Sequence, residues 1–298
     1  MTDLTVLISA PELNLQLVAD GILTGAVFAL AAYGMALVWG VMNIINVAQG
    51  ELVMLGGYVV IVLTDHGVSP LLAVPAAPAV MFGVGWALYR IVIFRIIERD
   101  LFISVLATFG LSIALQQLAN EVFGANVRTI ESGLGSSVLG AGLVVSRIKL
   151  IAFAVALVLG GALRLFLKRS RLGRAIRATA QNARAARTLG IDADRVYAAT
   201  FALNAAICGA AGALVAMTWI IHPYLGLIYT VRAFMIAVVA GAGSMFPVLF
   251  AGGGLGIAEN YAGFVLGTQY RTAFLYSLLV VILVGRNLAM RRQRGHAR

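Results

Sequence analysis

The chain has 298 residues, 61% hydrophobic and only 11% charged, with a mean hydropathy of +0.96. Soluble domains hold roughly 45–50% apolar and about 25% charged residues, so a water-soluble core would leave large apolar patches bare, and lipid is the solvent that fits. The net charge of +10 does not point to nucleic acid, because the cations are not spread over a face. Nine lie between Arg164 and Arg195, five between Arg286 and Arg298, and three between Arg90 and Arg99, each group beside an apolar run. That is the distribution of loops on the cytoplasmic side of a membrane.

A membrane-spanning helix needs about 20 mainly apolar residues. In chain order, the sequence predicts spans at 15–40, 50–64, 71–93, 102–123, 149–167, 197–221, 231–250, 252–268 and 272–290. The expected fold class is therefore an all-α integral membrane protein with about eight or nine transmembrane helices in one transmembrane domain, 1–298. The stretch 41–50 contains Asn43, Asn46 and Gln49 and reads as a broken or re-entrant segment, since such polarity is tolerated at membrane depth only inside protein or along a wet cavity. The first 14 residues lack Lys and Arg, so the N-terminus is expected outside with no cleaved signal. Running the spans from there puts all three basic groups, the 168–196 segment and the C-terminus in the cytoplasm, and the Gly- and Ser-rich segment 124–148 outside as a loop with a short strand.

The chemistry-bearing motifs are few. There is no G-x-x-x-x-G-K-[ST], and the two lysines, Lys149 and Lys168, do not follow glycine, so no P-loop for ATP is present in the chain. His66, His222 and His296 fall in predicted loops or the tail, and with the single Cys208 they give no metal spacing and no nucleophile–base pair. Cys208 reads as a small packing residue. Asp20, Glu51, Glu121 and Glu259 lie in or beside apolar runs, where a charge is costly and marks a functional position by default. Asn43, Asn46, Gln49, Gly50 and Glu51, with Glu259 and Asn260, are the candidate lining of a solute path. The competing reading is that these groups hydrogen-bond between helices and fix the fold. Thr108, Ser112, Gln116 and Gln117 recur at about one-turn spacing and predict a polar stripe that faces either a pore or, as the preferred reading, another helix. Gly21/Gly25 and Gly252/Gly256 match small-xxx-small contacts, within the chain or between subunits.

The cytoplasmic segment reads R-L-G-R-A-I-R-A-T-A-Q-N-A-R-A-A-R-T-L-G-I from Arg171 to Ile191 and contains A-A-x-x-x-G at Ala185, Ala186 and Gly190. Small residues let a partner pack closely, and Gly190 can take the left-handed conformation that ends a helix. This segment resembles the coupling loop of ABC importer permeases, and more specifically that of the branched-chain amino acid ABC transporter permease family. The blocks Gly21–Tyr58, Leu106–Gly124 and Pro223–Glu259 resemble that family in the same order. The chain departs from the family pattern at Arg184 (the family's Glu), Ala183 (its Pro) and Gln49 (its His).

The resemblance implies a permease subunit of a bacterial ABC importer in the inner membrane, not an enzyme. It implies ATPase coupling through Gly173, Arg174, Arg177, Ala185, Ala186 and Gly190. It also implies a second permease subunit, related or identical, two ATP-binding subunits and an external solute-binding protein, with ATP and Mg held by the ATPase subunits and no cofactor in this chain. Branched-chain or related amino acids are the first expected solutes; urea or short amides, and aromatic acids, are alternatives within the same class. A self-sufficient channel or secondary carrier is the alternative from another class.

Overall fold

The computed structural model describes residues 9–130, 135–139, 143–241 and 245–295. Residues 1–8, and Gly133, Gly140, Gly142, Gly243, Ser244 and His296 of the predicted loops and tail, lie outside them. Of the five C-terminal arginines, only Arg286 has a described side chain.

The helices are α1 (Pro11–Met42), α2 (Gln49–Asp65), α3 (Pro70–Ala73), α4 (Ala76–Ile91), α5 (Leu101–Phe123), α6 (Arg147–Arg169), α7 (Arg171–Gln181), α8 (Ala183–Thr188), α9 (Ala193–Thr218), α10 (Gly226–Ala240), α11 (Met245–Val265) and α12 (Arg271–Gly295). The segment 124–148 holds two short antiparallel strands where one is expected from sequence, β1 (Ser136–Leu139) and β2 (Leu143–Ser146). Gln16 of α1 ties β2 down, exchanging hydrogen bonds with the Val144 backbone. Among the described residues, seven helical segments are long and apolar enough to cross a membrane. α2, at 17 residues, is shorter, and α11 interrupts its apolar run with Glu259 and Asn260.

Burial separates a centre from a rim. In α9, 83% of the spanning window is buried, and in α1 78%, whereas α12 buries 6%, so α1 and α9 form the axis and α12 the outer wall. Small side chains make that axis possible. A Cβ on Gly212 of α9 would sit 1.9 Å from the Val53 carbonyl of α2, and one on Gly209 would press on Met81 of α4. Without a hydrophobic force between helices in lipid, such backbone proximity is a main source of packing energy.

Side-chain contacts fix the directions. Asp20 meets Lys149 and Tyr33 meets Gly160, so α1 and α6 are parallel. Phe28 meets Trp219 and Gln49 of the α1 neighbourhood meets Asn204, so α9 runs against α1. Trp39 stacks on Phe234 and Arg286 reaches the Val238 carbonyl, so α10 and α12 run with α1. The ends of α1, α4, α6, α10 and α12 thus share one face with α7 and α8, and Arg90, the Arg164–Arg195 group and Arg286 lie on it, as the charge distribution predicts.

One boundary differs from the sequence reading. The break expected near residue 251 lies at Gly241, whose φ of +76° ends α10, while Gly252, Gly253, Gly254 and Gly256 lie inside α11. None of the four forms a turn, and two of them, Gly252 and Gly256, are a packing surface. Gly252 and Gly256 lie against Gly25 and Gly21 of α1, where an added Cβ would come within 2.1–2.6 Å of a carbonyl oxygen. This contact is within the chain, which removes the alternative of a subunit interface for these four residues.

Candidate translocation site

Between Met42 and Gln49 the helix breaks. Asn43 takes the left-handed conformation (φ 51°), and the next residues climb back along α1 until Gln49 Nε2 donates to the Ala31 carbonyl at 2.9 Å. Ala31 is eleven residues before the end of α1 at Met42, so α2 starts roughly 16 Å inside that end. This explains why 17 residues suffice for it. Asn43 ends α1 at this break, and Asn46 and Gln49 beyond it are hydrogen-bonded within the protein.

Around the start of α2 lies a closed polar knot. Asn46, Gln49, Glu51, Thr108, Asn204 and Cys208 are all at most 1% exposed. Gln49 also donates to Asn204 Oδ1 at 3.0 Å and approaches Cys208 Sγ at the same distance. Thr108 Oγ1 accepts from Val47 N, and Thr230 Oγ1 accepts from Gly50 N at 2.8 Å, so hydroxyls of α5 and α10 cap a helix start that would otherwise leave donors unpaired. Ser112 donates to Glu51 Oε1 at 3.1 Å, while buried Glu51 Oε2 has no hydrogen-bond partner among the described residues. The predicted stripe on α5 therefore faces α2 through Thr108 and Ser112; Gln117 is exposed. Gly50 is dictated by proximity, since a Cβ there would fall 1.7 Å from the Gly226 carbonyl. Asn43 is exposed and stands apart from the knot.

On the other side of α10 is a cavity of about 250 Å³. Gly226 and Thr230 look to the knot, four residues apart. Leu225, Tyr229 and Arg232 look to the cavity, also at helical spacing. Arg232 grips Glu259 of α11 with two hydrogen bonds, 2.8 and 3.1 Å, and its guanidinium lies 4.5 Å from the Phe28 ring centre and 5.5 Å from that of Tyr229. Lys149 pairs with Asp20 at 2.7 Å on the same wall. Arg271 adds a third cation, and its buried Nε has no hydrogen-bond partner among the described residues. Asn260 lines the cavity and donates to the Leu17 carbonyl at 3.2 Å. Trp219 completes the aromatic side. Three cations thus face two carboxylates next to aromatic surface. The cavity belongs to the face opposite α7 and α8, since it gathers the starts of α6, α10 and α12 and the end of α9.

The candidate path residues therefore divide. Asn46, Gln49, Gly50 and Glu51 are joined in the knot, Glu259 and Asn260 belong to the cavity, and α10 stands between them. Arg232, Asn204 and Thr230 are absent from the sequence-derived set. Arg232 carries the signal that marks Glu259, a charge in an apolar run, but the span predicted at 231–250 places it at an edge, whereas α10 begins at Gly226 and leaves it half-buried inside the helix.

On the basic face, α7 and α8 form a corner. Ser170 Oγ accepts from Gly173 N, and Asn182 Oδ1 accepts from Ala185 N, each capping a helix. Gly173 packs on the last turn of α6, where a Cβ would come 2.5 Å from the Leu167 carbonyl. Arg174 donates to the Arg169 carbonyl, and Arg177 to that of Lys168. Gly190 (φ +82°) ends α8 with bonds from Gly190 N to Arg187 O and from Ile191 N to Ala186 O, the paired pattern of a left-handed helix stop. Ala186 is buried; Arg184, Ala185 and Leu189 face outward. The Arg187–Glu98 pair, which raises the arginine pKa through that hydrogen bond and charge, fastens the corner to the α4–α5 connection.

Comparison with known proteins agrees with this architecture. Residues 17–283 match the family model described as "Branched-chain amino acid transport system / permease component". The chain is 31% identical to the high-affinity branched-chain amino acid transport system permease protein BraD of Pseudomonas aeruginosa, over 91% of this chain and 94% of that protein. It is 31% identical to the corresponding permease protein LivH of Escherichia coli K12, over 91% and 92%. To the probable branched-chain amino acid transport permease protein LivH of Methanocaldococcus jannaschii it is 26% identical, over 92% and 89%. The chain belongs to the family of membrane permease components of branched-chain amino acid transport systems.

Proposed function

We propose that this chain is the permease subunit of an ABC importer for branched-chain or related amino acids, with its N-terminus outside and its C-terminus in the cytoplasm. It pairs with a second permease subunit and with ATP-binding subunits that hold ATP and Mg. An external binding protein delivers the solute to the face where the Arg232–Glu259 cavity lies. The outward residues of α7 and α8, Arg184, Ala185 and Leu189, meet the ATPase subunits, while Gly173, Arg174, Arg177, Ala186 and Gly190 hold that corner in shape.

The observation that carries the solute assignment is the cavity's mixed charge beside aromatic surface. An α-amino acid brings one carboxylate, one ammonium and an apolar side chain. Arg232 and Arg271 suit the carboxylate, Glu259 and Asp20 the ammonium, and Phe28, Tyr229 and Trp219 the side chain. Urea or a neutral amide gains nothing from ionised walls that could not be had from neutral donors at lower desolvation cost. In this reading the knot at the start of α2 lies behind the path and moves with α10.

The test is reconstitution of the complex purified from its native membrane. Leucine uptake into vesicles should require ATP and exceed urea uptake. Uptake that proceeds without ATP would replace the importer with a carrier, and uptake of urea alone would overturn the solute assignment.

A further inference from the structure

A second cavity, about 420 Å³, lies on the basic face between the last turns of α1, the end of α6 and the side of α7. Its wall is divided. Leu37, Val41, Leu163 and Leu167 make it apolar, and Arg164, Lys168 and Arg177 stand at one edge. No carboxylate lines it, and among the described residues none of these three cations has an ion-pair partner. Of the other basic side chains near the corner, Arg187 and Arg195 have carboxylates beside them, while Arg169, Arg171, Arg174 and Arg184 do not line the cavity. Arg164 is held over the Phe246 ring at 4.8 Å and Arg177 over the end of α6, so these two cations are positioned without being neutralised. At Gly40, on the α1 wall, a Cβ would meet nothing within 4 Å.

Three unneutralised cations above an apolar slot, at the end of membrane-spanning helices, complement a molecule with an anionic head and a hydrocarbon tail. We propose that this cavity binds one anionic phospholipid from the leaflet on the basic face, phosphate against Arg164, Lys168 and Arg177, an acyl chain along Leu37, Val41 and Leu163. Because α7 supplies one wall, the lipid bridges the bilayer to the corner that carries Arg184, Ala185 and Leu189. The site stands whether or not the amino-acid cavity on the opposite face is what it is proposed to be.

The experiment is native mass spectrometry of the purified transporter complex after exchange into phosphatidylglycerol or phosphatidylcholine of equal chain length. Wild type should retain one phosphatidylglycerol through detergent washing and no phosphatidylcholine. The triple variant Arg164→Gln/Lys168→Gln/Arg177→Gln should retain it more weakly by on the order of tenfold to a hundredfold. The triple variant Arg95→Gln/Arg99→Gln/Arg171→Gln, which removes equal charge from the same face away from the cavity, should bind as wild type does. Gly40→Leu fills the apolar slot with every charge intact and should also weaken retention. Equal loss in both triple variants would reduce the site to a generally basic face. Full retention in Gly40→Leu, or complete displacement of the lipid by excess inorganic phosphate, would make it a free-anion site and overturn the lipid. Equal retention of the two lipids would overturn the role of charge.

Discussion

Two carboxylates sit at membrane depth on opposite sides of α10, and the protein houses them in different ways. Glu51 is sealed among neutral donors, with one oxygen held by Ser112 and the other bare. Glu259 is clamped by a guanidinium at the edge of a cavity, with 6% of its side chain exposed. A buried group met by hydroxyls and amides specifies how helices pack, because each partner must be in register. A charge pair at a cavity wall keeps charge available where another charged molecule can reach it. Equal cost of burial therefore does not imply equal purpose, and the surroundings of each carboxylate tell them apart.

The largest expected effect strikes the knot. Gly50→Ala drives a methyl into the Gly226 carbonyl, with backbone on both sides and no side chain able to yield. The helices must separate, at a cost of about 3 kcal/mol or more. The folded species in detergent should fall sharply, read by size-exclusion chromatography and thermal melting. Gly83→Ala, in the open on α4, should leave the protein unchanged or slightly more stable, by about 0.5–1 kcal/mol. A Gly50→Ala protein that melted like wild type would mean that α2 and α10 are not in this contact.

The cavity pair gives a sharper distinction. Arg232→Ala leaves Glu259 buried and alone, a loss of about 3 kcal/mol. The double variant Arg232→Ala/Glu259→Ala removes both charges and should recover most of that stability. If the pair serves only to hold α10 to α11, transport should return along with stability. If it faces the solute, the double variant should fold and insert normally yet show leucine uptake reduced by about tenfold or more, a loss equivalent to one ordinary charge-assisted contact. Recovery of both would place Glu259 with Glu51 as a packing residue and erase the contrast between the two sides of α10.

Much of this arrangement is readable without coordinates, and the misses have a common cause. Hydropathy and the positions of arginine determine the spans and the basic face, because in lipid every backbone polar group must be paired within its own helix and charges collect at the ends. The polar run at 41–50 signals a break for the same reason. Glycine misleads. In water a glycine run such as this would read as a turn, but here Gly252 and Gly256 are a surface for α1 inside a helix, so the expected break is displaced by about ten residues and Arg232 reads as an end residue. The knot is partly legible in Asn46, Gln49 and Glu51, whereas its partners Asn204 and Thr230 lie more than 150 residues away in sequence. No local pattern announces them. The corner of α7 and α8 is legible at Gly190, where one residue type satisfies one backbone need, and obscure at Arg174 and Arg177, whose bonds return to the end of α6.

The smallest expected effect uses pH to separate the same two sides. His222 opens the short turn Pro223–Leu225, which leads into α10 and lines the cavity with Leu225. Its Nδ1 accepts from Tyr224 N at 3.3 Å, a bond only an unprotonated Nδ1 can accept, and partial burial lowers its pKa below the usual 6.5. The unfolded chain therefore takes up this proton at a higher pH than the folded one. The contribution of His222 is complete above about pH 6.5 and is lost as pH falls from there through the lowered folded value. In His222→Asn the side-chain oxygen can accept the same backbone bond but does not titrate. Between about pH 7.5 and pH 5.5, on either side of the ordinary histidine value, the Tm of wild type should drop more than that of His222→Asn, and leucine uptake should weaken in parallel. Equal drops would show that the turn into α10 does not depend on this nitrogen. A larger drop in the variant would mean that acid sensitivity arises elsewhere, and the cavity side would then be no more responsive to protons than the sealed knot behind it.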